Sequence, residues 1–408
     1  MEIVTPEEAG LSAERLARID AYLTREFLEP GRLAGTQTLV ARHGRVAHFS
    51  TLGSPEIEGS TPLRDDSIFR IYSMTKPITS VAAMMLHERG CFQLRDRLAD
   101  YLPEFGDLRV YQQGLWPNYV TRPCTRPLEI RDVLMHAAGF TYGFVRRTNV
   151  DHGYRKAGIG EPHGALDLAG FARELGRLPL EFSPGEAWCY GVSTDVLGYL
   201  VQVVSGRPFE EFLREEIFTP LGMVDTDFFV PADKAGRFLP CYERGLDGET
   251  RLGDDPADSP YLRMPNCPSG GGGLVSTTSD YFRFCEMLRR GGELDGVRLL
   301  SRKTIELMTV NHLPGDADLT DRAIAGSFSE TPYEGVGFGL GFSVNLGPAR
   351  TARAGSFGEF AWGGMASTAF WIDPLEDLVV IFMTQLIPSS AYDIRTKLRT
   401  LVYAALTD

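Results

Sequence analysis

Lysine is scarce in this chain. Lys76, Lys156, Lys234, Lys303 and Lys397 are its only lysines; the rest of its 41 basic residues are arginines. Where arginine is the default cation, a lysine in an apolar setting has a particular use, because only lysine can lose its proton in a protein. Positive charge is short overall. The 54 acidic residues leave a net charge of −13 at pH 7, which argues against the basic stripe of a phosphate-backbone binder. No apolar run is long enough to span a bilayer, and the first twenty residues lack the basic-then-apolar pattern of a signal peptide. The expectation is a soluble, cytoplasmic protein with neither nucleic acid nor membrane as partner. Cys91, Cys124, Cys189, Cys241, Cys267 and Cys285 show no zinc or redox-pair spacing, and H-E-x-x-H is missing. Buried reduced thiols are expected, with no metal. G-x-S-x-G and a strand-following G-x-G-x-x-G are also missing, so neither a nucleophile elbow nor a dinucleotide site is supported.

What is present describes an ordinary globular chain. At 408 residues, 43% hydrophobic and 23% charged, it has the length of two or three domains, or of one large domain with an insertion. Ser12 caps a helix with Leu16, Ile19, Leu23 and Phe27 on one face. Thr38–Ala41 and Val46–Ser50 flank a glycine-containing turn and read as a hairpin; Ser367–Ile372 and Leu378–Gln385 read as a second. A last helix carries Ile394, Leu398, Leu401, Val402 and Ala405. The short links imply antiparallel pairing. From about 91 to 215 helical patterns dominate, with 107–127 and 141–165 read as long loops. Gly270–Gly273 lacks a following Lys-Ser/Thr and reads as a tight turn into a strand.

Three segments carry chemistry. Ser73-Met74-Thr75-Lys76 opens a helix that is apolar on most sides, with Pro77 in its first turn and Gly90 as its stop. Lys76 is one turn beyond Ser73, so its amine reaches the hydroxyl. Backbone N–H groups at a helix start stabilise a developing oxyanion, and a lysine in apolar surroundings has a depressed pKa and accepts a proton. Tyr190 precedes a helix capped by Ser193 or Thr194. A phenol beside a cationic lysine would have a lowered pKa and serve as base and acid. Ala361-Trp362-Gly363-Gly364-Met365 opens a strand that its two glycines allow another backbone, or a substrate, to approach.

In this order the segments resemble the serine β-lactamase and penicillin-binding-protein superfamily, and within it the family VIII carboxylesterases, relatives of class C β-lactamases. The likeness extends through Ile68-Phe69-Arg70, Ile130–Leu134 with His136-Ala137-Ala138-Gly139, Ser183–Glu186, Pro220–Met223, Gly271–Thr277 and Gly337–Gly341. It implies an α+β, β-lactamase-like fold: an antiparallel sheet flanked by helices (1–90 and 216–408), a mostly helical domain (91–215) and a cleft between them. It also implies Ser73 as nucleophile, Lys76 and Tyr190 as the proton-transfer pair with the base unassigned, and an oxyanion hole from the backbone of Ser73 and Met365. Trp362, Gly363, Gly364, Phe140, Tyr142 and Phe144 would contact a small-molecule ester, and no cofactor is required.

Two departures point to esters. Trp362-Gly363-Gly364 stands where a β-lactamase has Lys-Thr-Gly, and Tyr190-Gly191-Val192 lacks the Asn of Tyr-x-Asn. Both remove polar recognition of a β-lactam, although Arg350 or Arg353 could restore a positive charge. Short to medium acyl chains are expected. Acyl transfer, weak β-lactam hydrolysis, peptide or amide hydrolysis and non-turnover binding stand as alternatives. Oligomeric state is not readable.

Overall fold

The computed structural model describes residues 3–408. The two ends of the chain build one antiparallel sheet. His43 and Gly44 both take positive φ, 53° and 73°, as in the two-residue turns whose twist suits paired strands. They join Gly35–Arg42 to Arg45–Gly53. Ala369–Asp373 and Leu378–Met383 form the second hairpin. Val40 then lies opposite Val380, which fuses the two hairpins. The sheet runs Val336–Phe338, Ser343–Asn345, Phe360–Gly363, Ala369–Asp373, Leu378–Met383, Gly35–Arg42, Arg45–Gly53, antiparallel throughout.

Strand periodicity sends alternate residues to opposite faces. Val40, Val380 and Phe382 meet the terminal helices Ala13–Leu23 and Ile394–Tyr403 through Leu16, Ile19, Leu398 and Val402. Leu39, Ile381 and Met383 meet the larger core containing Ile78, Val81 and Met85 of the helix Thr75–Glu88. That helix is buried from Thr75 to Leu86 and packs against Ser193–Ser205, which ends at Gly206 with φ 68°.

Four sequence expectations are corrected. The 107–127 stretch is a hairpin, Arg109–Leu115 with Asn118–Pro123; most of its residues are at least partly exposed, so it carries no apolar alternation to read. Within 141–165 lies the helix Asn149–Lys156, started by a Thr148/Asp151 capping box in a polar segment. Neither Ser193 nor Thr194 caps its helix: Val192 takes the cap position without a side-chain bond. Among the cysteines, all free, Cys91 is exposed and Cys124 half-buried. Among the described residues no helix is long and apolar enough to cross a membrane.

Candidate active site

Ser73 is aimed by backbone pairing. Phe69–Arg70 pairs with Val275–Ser276, just past the Gly270–Gly273 turn, and Ile71 N–H donates to Leu274 O at 3.1 Å. Tyr72 then takes φ 42°, in the left-handed region that non-glycine residues rarely occupy. The chain turns there into Tyr72–Met74 and the helix Thr75–Glu88, placing Ser73 on the wall of a cavity of about 620 Å³. Gly364 packs beside this segment. A Cβ on it would lie 2.4 Å from Ile71 O, so only glycine lets the Gly364–Thr368 turn close onto the segment before Ser73. Met365 of that turn lines the same cavity.

The Lys76 amine is wholly buried. Nζ bonds Ser73 Oγ at 3.2 Å and Gly271 O at 2.5 Å. Burial lowers its pKa to about 7, against the opposing pull of Asp195 and Glu330. Close to neutrality, therefore, much of the amine is free to accept a proton. The glycine turn that supplies Gly271 O is held by Asp195, whose Oδ1 accepts from Ser269 Oγ (2.5 Å) and Gly271 N–H (3.0 Å).

Tyr190 stands on the other side of the serine. Lys76 Nζ lies 4.5 Å from its ring centroid and 5.4 Å from that of Tyr142. Trp362 Nε1 donates to Tyr190 Oη at 3.2 Å. The expected lowering of the phenol pKa is overturned. Burial raises it well above 10, Glu330 adds to the rise, and hydrogen bonds from Ser73 and Trp362 only partly offset it. The ring is enclosed by Trp188 (stacked, 6.1 Å), His136 (4.9 Å) and Tyr142 (5.3 Å), too apolar a box to favour phenolate.

Sequence reasoning missed Glu330 and Arg395. Glu330 lines the Ser73 cavity with a fully buried side chain. Its Oε2 takes Arg395 Nη2 at 2.9 Å, while Oε1 has no partner among the described residues. Arg395 also donates to Gly364 O (2.8 Å), Thr368 O (2.7 Å) and Glu330 O (2.6 Å). It thereby ties the Glu330 loop to the turn that carries Met365. Nothing local flags this pair, because the two residues lie 65 positions apart. Asp195 follows shortly after Tyr190 in the chain, but its partner Ser269 lies 74 positions further on.

Of the expected contact residues, Tyr142, Phe144 and Met365 line the Ser73 cavity. Phe140 does not: it is buried against Phe105. Trp362, Gly363 and Gly364 do not line it either. Trp362 is buried behind Tyr190 and faces a separate cavity of about 350 Å³. A Cβ on Gly363 would meet the Arg395 guanidinium at 2.5 Å, so both glycines admit protein rather than ligand. Arg350 pairs loosely with Asp316 and Asp318 (3.7 and 3.8 Å), and Arg353 lines the second cavity. Neither puts a charge beside Ser73.

The Beta-lactamase family model matches residues 21–404. The chain belongs to the Beta-lactamase family. Proteins similar to it include an uncharacterized protein of Mycobacterium tuberculosis (strain CDC 1551 / Oshkosh), 34% identical with 90% of each chain covered. Esterase EstB of Burkholderia gladioli is 29% identical, with 98% of each covered. Among solved structures, EstCE1, a hydrolase with promiscuous acyltransferase activity, superposes with a TM-score of 0.77 at 24% identity, covering 97% of this chain and 99% of its own. The fold is accordingly β-lactamase-like and α+β.

Proposed function

We propose that this Beta-lactamase family protein is a carboxylesterase of the family VIII type that works through an acyl-serine intermediate. The observation that carries the reading is the buried Lys76 amine bonded to Ser73 Oγ at 3.2 Å. With its pKa near 7, neutral Lys76 takes the Ser73 proton as Oγ attacks the ester carbonyl. Tyr190, kept protonated by its apolar box, donates to the departing alkoxide and regains its proton from Lys76. The same groups run in reverse when water attacks the acyl-serine. Backbone N–H groups of Ser73 and Met365 are assigned to the oxyanion. EstB, an esterase similar over nearly the whole chain, supports the substrate class.

No cation stands at the Trp362 position, and the unpaired Arg146 lies elsewhere in the cavity lining, in the segment after Phe144; the missing cation at Trp362 supports poor β-lactam turnover. A charge-assisted hydrogen bond contributes about 1.5–3 kcal/mol, so its loss costs about ten- to a hundredfold. The test compares kcat/KM for p-nitrophenyl butyrate and a chromogenic cephalosporin on one preparation, with peptide mass spectrometry after phosphonate inhibition. Faster ester turnover and an adduct on Ser73 are expected. An adduct elsewhere, with Ser73→Ala still active, overturns the mechanism, and a cephalosporin value equal to the ester value overturns the substrate class.

A further inference from the structure

The Ser73 cavity opens beside a second recess. This recess, about 660 Å³, lies between the tip of the Arg109–Pro123 hairpin and the segment around the helix Asn149–Lys156. Arg146 and Arg155 line both spaces and so form their shared wall; Arg155 is held there by Gly143 O and Asp151, whereas the exposed Arg146 has no partner among the described residues. Its apolar part is the hairpin tip. Leu115 is 63% exposed and Trp116 36% exposed, an uncommon use of large apolar side chains at the end of a polar hairpin.

The charge there runs against that of the molecule. The chain carries −13 overall, yet the recess gathers Arg146, Arg147 and Arg155. Arg155 is neutralised by Asp151 at 2.7 Å. Arg146 and Arg147 are exposed and have no carboxylate partner within ion-pair distance among the described residues. Glu181, the one acid lining the recess, is mostly buried, accepts from Thr148 Oγ1 at 2.5 Å and has its pKa raised by burial. Arg147 also donates to Ala325 O. Arg146, which has no partner among the described residues, and the exposed remainder of the Arg147 guanidinium therefore face an aromatic and aliphatic surface on which the mostly buried Glu181 is the one acid.

We propose that this recess is an outer subsite for esters whose acyl chain ends in a carboxylate, with the chain on Trp116 and Leu115 and the carboxylate at Arg146 and Arg147. The inference rests on the acyl-serine reading above. It names the far end of the substrate, whereas that reading concerns the reacting end.

The test uses mono-p-nitrophenyl esters of adipic, suberic and sebacic acids, each beside its methyl-capped counterpart. The readout is the ratio of kcat/KM for free acid to methyl ester, in which a general defect of a variant cancels. Exposed ion pairs are weak. Two of them predict a preference of about five- to tenfold for the acid at low salt, at the chain length that spans the gap. The preference shrinks at high salt and falls to about one in Arg146→Gln/Arg147→Gln. A ratio near one at every length, or a preference unchanged in the double variant, overturns the proposal. Calorimetric titration of Ser73→Ala with the same ester pairs separates the two readings. Tighter binding of the acid that depends on the arginines supports the subsite even if Ser73 is not the nucleophile, and equal binding of acid and methyl ester overturns it even if Ser73 is.

Discussion

Two cations lie behind the lining of the Ser73 cavity, Lys76 bonded to Ser73 and Arg395 bonded to Glu330 and the turn that carries Met365, and the protein handles them in opposite ways. Lys76 is given neutral acceptors, Ser73 Oγ and Gly271 O, and carboxylates only at a distance. Burial then wins and its proton becomes labile. Arg395 is given a carboxylate, Glu330, and three carbonyls. It stays charged and serves as a strut between the Glu330 loop and the Met365 turn. Charge at a site is thus either a reagent or a fastener, and the partner's chemistry decides which.

The largest expected effect removes the group that the reagent serves. Ser73→Ala should lose about 10³-fold or more in kcat for p-nitrophenyl butyrate, measured by steady-state kinetics with the fold checked by circular dichroism. Next, Lys76→Arg makes the reagent into a fastener. Arginine stays protonated, so a loss of about 10²-fold or more is expected, close to that of Lys76→Ala. An Arg variant that keeps most of its kcat would reduce Lys76 to a positive charge.

The fastener should fail differently. Arg395→Met leaves Glu330 buried without its partner and should destabilise by about 3 kcal/mol, read from denaturant midpoints. A loss of activity with no loss of stability would show that Arg395 is not a strut.

The smallest effects are in pH dependence, and their signs distinguish the two cations. For the wild type, kcat/KM should fall below an apparent pKa near 7 as Lys76 takes up a proton. Glu330 favours charged Lys76, so Glu330→Gln should move that limb to lower pH. Arg395→Met unmasks Glu330 and should move it to higher pH. Shifts in the same direction for both variants would break the contrast. Tyr190 is held protonated, so its ionisation should add no alkaline limb below about pH 10.

The sequence alone was enough for the two terminal hairpins and their helices, because apolar period and turn chemistry are local. It was enough to place Lys76 one turn from Ser73 on a buried helix, because that spacing is a property of the helix itself. The family likeness rests on motifs that are likewise contiguous. Packing decided the rest. The direction of the Tyr190 shift follows from an aromatic box in which only Trp188 is local, while His136, Tyr142 and Trp362 come from outside the Tyr190 segment. Whether Trp362 faces substrate or the back of Tyr190 depends on which side of the Phe360–Gly363 strand closes over the cavity. Phe140 had the composition of a pocket residue and became core. Glu330 and Arg395 meet only after the last helix docks. A side chain's environment, and so its protonation state, is set by residues far away in the chain, which a sequence leaves unspecified until the fold brings them together.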